Sequence, residues 1–388
     1  MSFADLGVAA EAVRSLRARG ITSPSRIQTL AIPPALDGRD VCGRAPTGSG
    51  KTIAFGLPVA ARVGRARPWQ PGALILAPTR ELAAQIEGEM ALLVGSHRRR
   101  RVAAFYGGVG FGSQLNSLRR GVDIAVACPG RLNDLIARGA VHLAGVSMVV
   151  IDEADRMADM GFMPQVEWLL RHLGSDHQTM LFSATLDGDV DRLVRDHLND
   201  PVRHEVDSAQ PTVSEMTHRF LLVHQMDKVK VAAAICRSAQ RALVFSRTKR
   251  GADRLTLELR KEGVNARAIH GDLRQQHRER ALRSFVEGRL PVLVATDVAA
   301  RGIDVDGIDV VIHFDPPEDH KGYLHRSGRT ARAGREGLVV SLILWNEQLD
   351  VERIQRRLGL ASPMVEMFSN DPRLRNLRTW DPAAASVA

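Results

Sequence analysis

The chain has 388 residues, 44% of them hydrophobic and 25% charged, with a formal net charge of +9 and a pI of about 10.1. That length exceeds one ordinary core and predicts two domains, while a mean hydropathy of −0.12 and the lack of any uncharged apolar run of roughly 18 residues exclude a membrane span. The positive charge, supplied almost wholly by arginine, points to a polyanionic partner or to an arginine-rich solvated surface.

In chain order, the N-terminal stretch has dispersed charges and no apolar h-region, which argues against export. Short β-branched runs then recur, each followed by a turn and a helical stretch. Strands are expected at 73–77, 122–126, 148–151 and 179–182, and again at 242–245, 291–294, 310–312 and 337–343. Apolar strands alternating with helices indicate α/β units with mostly parallel sheets, covered by helices on both faces. Residues 205–215 lack either periodicity, so domains are expected at 1–207 and 217–360, joined by a linker at 208–216. Residues 361–388 read as a short mobile tail. Cys42, Cys128 and Cys236 are odd in number and widely spaced. Neither a disulfide framework nor a zinc site is expected, and a reducing cytoplasm fits best.

The strongest local signal is Ala45-Pro-Thr-Gly-Ser-Gly-Lys-Thr52. A glycine-rich turn before a helix lets backbone N–H groups approach phosphates. Thr47, Gly48, Ser49 and Gly50 would line that cradle, Lys51 would reach the β- and γ-phosphates, and Thr52 would offer a hydroxyl to Mg²⁺. Ala45 replaces the first glycine of the general pattern, so a chance glycine turn stays open on this segment alone. The run at 148–151 leads into Asp152-Glu-Ala-Asp155. A carboxylate at the end of a buried strand suits the Mg²⁺ shell (Asp152), and the next can orient water (Glu153). An acidic helix cap would explain one carboxylate but not its pairing with Lys51.

Asp152-Glu-Ala-Asp155 resembles the signature of the DEAD-box ATP-dependent RNA helicases, and further motifs of that family follow in order from about Phe3 to Leu360. The resemblance implies two tandem RecA-like domains, ATP as substrate and RNA as partner. It implies an adenine contact for Gln28, with Phe3 upstream, and coupling of ATP state to closure through Asp155, Ser183 and Thr185. Pro78, Arg80, Gly108 and Arg131 in the first domain, and Arg247, Gln275, Arg278 and Thr296 in the second, are implied to touch RNA. Asp304 would reach the ATP ribose, and Arg329 and Arg332 would act on the γ-phosphate, whereas Arg326 reads as structural or as a contact at the domain interface. Three positions depart from the family pattern: Ile21 where an aromatic is usual, and Ser25 and Cys128 in place of threonine. Weaker adenine stacking and a lost phosphate contact are expected there.

The run ending at Arg101 belongs to no matched motif and reads as a solvated loop. On this reading the protein hydrolyses ATP when RNA is bound and separates duplexes locally, without strong sequence preference. An ATP-gated RNA clamp or assembly scaffold and a DNA-directed translocase are the alternatives. Ribosomal or RNA-decay assemblies are possible settings.

Overall fold

The apolar runs become the inner strands of two parallel sheets. In a computed structural model, residues 1–46, 48–95, 101–206, 216–300, 307–330 and 337–382 are described, and the chain divides into two compact units, Met1–Ser208 and Ala209–Ala388. Thr47, Asp304, Arg332, the run at 97–100 and linker positions 208–215 lie outside the described residues.

The strands of the first unit are β1 (Val41–Arg44), β2 (Ala73–Leu76), β3 (Val102–Phe105), β4 (Ile124–Ala127), β5 (Met148–Asp152), β6 (Gln178–Ser183) and β7 (Val202–Glu205). They lie in the order β3-β4-β2-β5-β6-β1-β7, every pair parallel. Its helices are α1 (Ala10–Ala18), α2 (Arg26–Leu36), α3 (Lys51–Arg62), α4 (Arg80–Val94), α5 (Phe111–Arg120), α6 (Pro129–Ala137), α7 (Ala154–Asp159), α8 (Met163–Leu170) and α9 (Asp189–His197). Successive strand side chains point to opposite faces. Ala73 and Ile75 therefore join one apolar cluster with Phe55, Ile86 and Phe182, while Leu74 and Leu76 join another with Leu135, Met157 and Leu193. A strand buried on both faces has no polar positions, which is why it reads as a continuous apolar run.

The second unit has β8 (Met216–Leu222), β9 (Ala242–Phe245), β10 (Ala266–Ile269), β11 (Val292–Ala295), β12 (Val310–His313), β13 (Gly337–Ile343) and β14 (Met364–Glu366). Their order, β10-β11-β9-β12-β13-β8-β14, repeats the first sheet position by position. Its helices are α10 (Lys228–Ser238), α11 (Lys249–Lys261), α12 (Gln275–Val286), α13 (Asp297–Ala300), α14 (His320–Ser327) and α15 (Gln348–Leu358). Equivalent helices start by the same device. Thr79 Oγ1 accepts from Leu82 N–H at 3.3 Å before α4, and Thr248 Oγ1 accepts from Gly251 N–H at 2.9 Å before α11, each satisfying a first-turn donor.

The expected tail at 361–388 needs correction, and with it the domain end at 360. Residues 364–366 pair with β8 in parallel, and Met367, Leu374 and Leu377 are buried in the core of the second unit. Arg219 Nε donates to the Leu377 carbonyl at 2.8 Å, and the Arg219 and Arg373 guanidinium groups lie 5.8 and 5.1 Å from the Trp380 ring centroid. Three apolar anchors spaced along a polar segment suffice to hold it down, although they form no periodic pattern.

Candidate functional site

In a parallel sheet the loops that leave the carboxyl ends of neighbouring strands share one edge, and ligands bind there. The order β5-β6-β1 brings together Asp152, Ser183 and the turn after Arg44. Ala45 N–H extends the ladder, donating to the Ser183 carbonyl at 2.9 Å. Gly48 and Gly50 then take φ values of +83° and +90°, which side chains resist. Lys51 opens α3 and is buried, its Nζ donating to the Ala45 carbonyl at 2.8 Å across the mouth of the loop.

A second tether comes from α2. Ser25 N–H donates to Gln28 Oε1 at 2.9 Å, Gln28 Nε2 donates to the Gly50 carbonyl at 3.0 Å, and Ser25 Oγ donates to the Ser49 carbonyl at 2.7 Å. A Cβ on Gly50 would meet the Gln28 amide and push the strut aside, and the φ of +90° favours glycine there as well. Gln28 is thus a strut of the phosphate loop, and each amide atom keeps one further hydrogen-bonding position. Phe3, by contrast, is fully buried in the apolar core, where its carbonyl accepts from Leu6 and Val8.

Asp152 ends β5 and is buried, with its Oδ1 accepting from Glu153 N–H at 3.0 Å. Burial pushes its carboxyl up to about 7, and Glu153 adds to the rise, while Lys51 and Arg156 oppose it. Glu153 holds a left-handed φ of +55°, uncommon for a side chain with a Cβ, and its buried carboxylate is paired with Arg156. Two residues on, Asp155 N–H donates to Ser183 Oγ at 3.1 Å, joining the acidic motif to the end of β6, whereas Thr185 is exposed. The result is a glycine turn, a buried ammonium and two buried carboxylates on one strand edge, an arrangement suited to phosphate chemistry.

A family model described as DEAD/DEAH box helicase matches residues 25–193, and one described as Helicase conserved C-terminal domain matches residues 227–334. The chain belongs to the DEAD-box helicase family. It is 40% identical over 350 residues to the DEAD-box ATP-dependent RNA helicase CshA of Bacillus licheniformis, covering 90% of this chain and 72% of that one. The CshA of Bacillus subtilis is 39% identical over 358 residues, with 92% and 72% covered. Among solved structures, S. cerevisiae Dbp5 bound to RNA and ADP BeF3 superposes with a TM-score of 0.82 at 29% identity, covering 95% of this chain and 96% of that chain.

The remaining DEAD-box motifs of the first unit also sit on its carboxyl edge. Pro78 and Arg80 follow β2, Gly107 and Gly108 follow β3, and Cys128 and Arg131 follow β4. The Arg80 guanidinium lies against Gly107 and Gly108, where a Cβ on Gly108 would clash, and Gly108 has φ +82°. Gly108 therefore makes room for Arg80. The Arg131 guanidinium donates to the Val109 carbonyl at 3.2 Å and to Gln114 Oε1 at 3.0 Å, and lies 4.2 Å from the Phe111 ring centroid. It braces the loop after β3 from inside. Cys128 precedes α6, and burial pushes its thiol up to about 12, so it stays protonated and a weak donor.

In the second unit Arg247 follows β9, Gln275 opens α12, Thr296 follows β11, and Arg329 lies just beyond α14. Arg247 N–H donates to Asp315 Oδ2 at 2.8 Å, and its guanidinium is 3.7 Å from Glu347. Gln275, Arg278, Thr296 and Arg329 are buried, with Gln275 Nε2 donating to Glu279 at 3.1 Å and Arg329 Nε donating to the His325 carbonyl at 3.3 Å. Arg326 is clamped by Asp297 through two hydrogen bonds of 2.6 and 2.7 Å and donates to the Asp315 carbonyl at 2.6 Å. That fork ties the end of α14 to the start of α13.

Sequence reasoning missed Lys228. It opens α10 after β8, as Lys51 opens α3 after β1, but the intervening Val223–Asp227 turn contains no glycine. Its buried Nζ lies 3.9 Å from Asp315 and 3.7 Å from Glu347. Burial draws its pKa down while the two carboxylates oppose the shift. The equivalent of the phosphate loop thus lacks a cradle, and its lysine is already neutralised from within. The Ser25–Gln28 spacing is a capping-box signature readable from sequence, whereas nothing local marks Lys228.

Proposed function

We propose that the chain is an RNA-dependent ATPase that couples ATP hydrolysis to local, largely sequence-independent separation of RNA duplexes. The observation that carries this reading is the buried pair Asp152 and Glu153 at the end of β5, one strand from Ser183 and two from the Ala45–Lys51 turn. The buried Asp152 carboxylate shares its sheet edge with the phosphate turn, and with Thr52 it offers the oxygen donors that Mg²⁺ prefers. Thr52 and Asp152 would hold the ion, which supplies charge neutralisation on the phosphates.

In this mechanism the loop amides and Lys51 bind the β- and γ-phosphates, and Gln28 steadies the loop and reads adenine with its remaining amide positions. Glu153 orients the attacking water. Arg329 and Arg332 bring positive charge to the γ-phosphate when the units close on ATP and RNA, and Asp304 reaches the ribose. Asp155, Ser183 and Thr185 transmit the nucleotide state. Pro78, Arg80, Gly108 and Arg131, with Arg247, Gln275, Arg278 and Thr296, form the RNA surface, which grips phosphates and 2′-hydroxyls. We place the protein in the cytoplasm and its RNA in ribosomal or RNA-decay assemblies. Crosslinking in cells followed by sequencing of the bound RNA tests that setting.

The reaction is tested by RNA-stimulated ATPase assays of Glu153→Gln and Arg329→Ala, with nucleotide binding measured in parallel. Loss of the arginine should lower turnover by about 10³-fold or more. Loss of the carboxylate should cost about 10²-fold or more. Nucleotide binding should persist in both. Undiminished turnover in either variant removes the assigned role, and equal stimulation by matched DNA removes the RNA preference.

A further inference from the structure

The carboxyl edge of the second sheet continues past the DEAD-box motifs onto β13, β8 and β14, and there its character changes. Ile343, Leu222 and Glu366 are aligned across these three neighbouring strands. Just beyond that level each turn exposes one large apolar side chain: Trp345 after β13 (59% exposed), Met226 after β8 (84%) and Phe368 after β14 (48%). Neighbouring strands are about 4.8 Å apart, so the three turns form one ridge. The turns are also tied together. Asp227 accepts from Ser369 N–H at 2.6 Å and Ser369 Oγ at 2.7 Å, and Lys228 reaches Glu347 at 3.7 Å. Leu349, 67% exposed at the start of α15, extends the apolar surface.

The fringe of this ridge is acidic in a chain of net charge +9. Asp227 is bonded to the neutral Ser369 and Glu366 is exposed at the end of β14, while Asp315 and Glu347 are balanced by Lys228 and by Arg247, whose guanidinium lies 3.7 Å from Glu347. An apolar strip containing an exposed tryptophan and rimmed by polar groups has the makeup of an interaction site. Carboxylates along the rim disfavour a phosphate backbone and favour a cationic partner.

We propose that the Met226–Trp345–Phe368 ridge docks a segment of a partner protein that presents apolar anchors flanked by lysine or arginine, leaving the RNA motifs on β9, β10 and β11 unobstructed. The lysine and loop that would bind phosphate at this strand position are disabled, so the edge is available for contacts unrelated to nucleotide.

The test uses the full chain and two fluorescein-labelled amphipathic helical peptides with the same leucine and tryptophan face, one carrying lysine and the other glutamate on its polar face. By anisotropy the lysine peptide should bind at least about tenfold more tightly, and less so at high salt. Trp345→Ser with Phe368→Ser should weaken it by about tenfold or more, without loss of RNA-stimulated ATPase. Met226→Lys, at the most exposed position, should weaken it independently by charge repulsion. The proposal is overturned if both peptides bind alike, if the variants bind like the parent, or if neither peptide saturates by about 1 mM. It is equally overturned if the double substitution instead weakens binding of labelled oligoadenylate, which would make the ridge an RNA surface. A concentration-dependent dimer in sedimentation that the substitution abolishes would assign the ridge to a second copy of the chain and also overturn it.

Discussion

Gln28 Nε2 donates to the main-chain carbonyl of Gly50 at 3.0 Å, fastening the start of α2 to the last residue of the phosphate loop. The same side chain accepts from Ser25 N–H at 2.9 Å, so one amide serves helix cap and loop at once. Gln28→Leu leaves two backbone groups without partners, at a cost of about 1–3 kcal/mol for each that stays buried. The KM for ATP should rise about tenfold or more, with kcat reduced less. Gln28→Glu keeps the acceptor for Ser25 but turns an oxygen towards the Gly50 carbonyl, so its melting temperature should fall less while KM rises as much. An unchanged KM in both variants would separate the strut from nucleotide binding.

Arg80 and Gly108 form a second dependent pair, because the guanidinium occupies the space a Cβ at Gly108 would need. Gly108→Ala also strains a φ of +82°, costing about 1–2 kcal/mol. Affinity for oligoadenylate should fall in Arg80→Ala and in Gly108→Ala, and the double variant should be little worse than the poorer single one, a coupling of about 1 kcal/mol or more. Strict additivity would show that the glycine serves something other than the arginine.

Truncation after Leu360 removes β14 and the buried Met367, Leu374 and Leu377. Each such side chain contributes about 1.5–3 kcal/mol when buried. Their sum is comparable with the whole stability of an ordinary domain, about 5–15 kcal/mol. The truncated chain should show a lower urea midpoint for the second unit, or a unit that is cleaved readily by protease, with the first unit unaffected. An unaltered midpoint would make the segment dispensable for folding.

His313 ends β12 fully buried, with Nδ1 3.2 Å from Ser341 Oγ and its ring edge-on to Tyr323. Burial holds its pKa well below the usual imidazole range, and Arg326 and His218 push in the same direction. Because the folded pKa is depressed, the unfolded chain takes the proton first. Stability is full above the unfolded pKa of about 6.5 and is lost as pH falls below it, by up to about 1.4 kcal/mol per pH unit for this one group. Urea unfolding of the second unit should therefore show a steeper acid loss in the parent than in His313→Gln. Parallel pH profiles for the two would place the titration elsewhere.

The sequence by itself determined the inner strands, the phosphate loop and the acidic motif, because their signals are local. Residues 242–245 and 337–343 are strands as read, and the other expected runs are displaced by one or two residues at their ends. The strands without an expected run include β3, β7, β10 and β14, the four edges of the two sheets, where one side needs no apolar partner and Val202–Glu205 can alternate freely. Chain order along one sheet edge, rather than any local pattern, puts Ser183 between Asp152 and Ala45. The tertiary structure alone decided that Gln28 is a strut, that Arg131 braces the loop after β3, that Lys228 is neutralised and that residues 364–377 pack onto the second unit. In each case the partner lies far away in sequence, and only packing brings a carbonyl, carboxylate or apolar surface close enough to assign the side chain its contact.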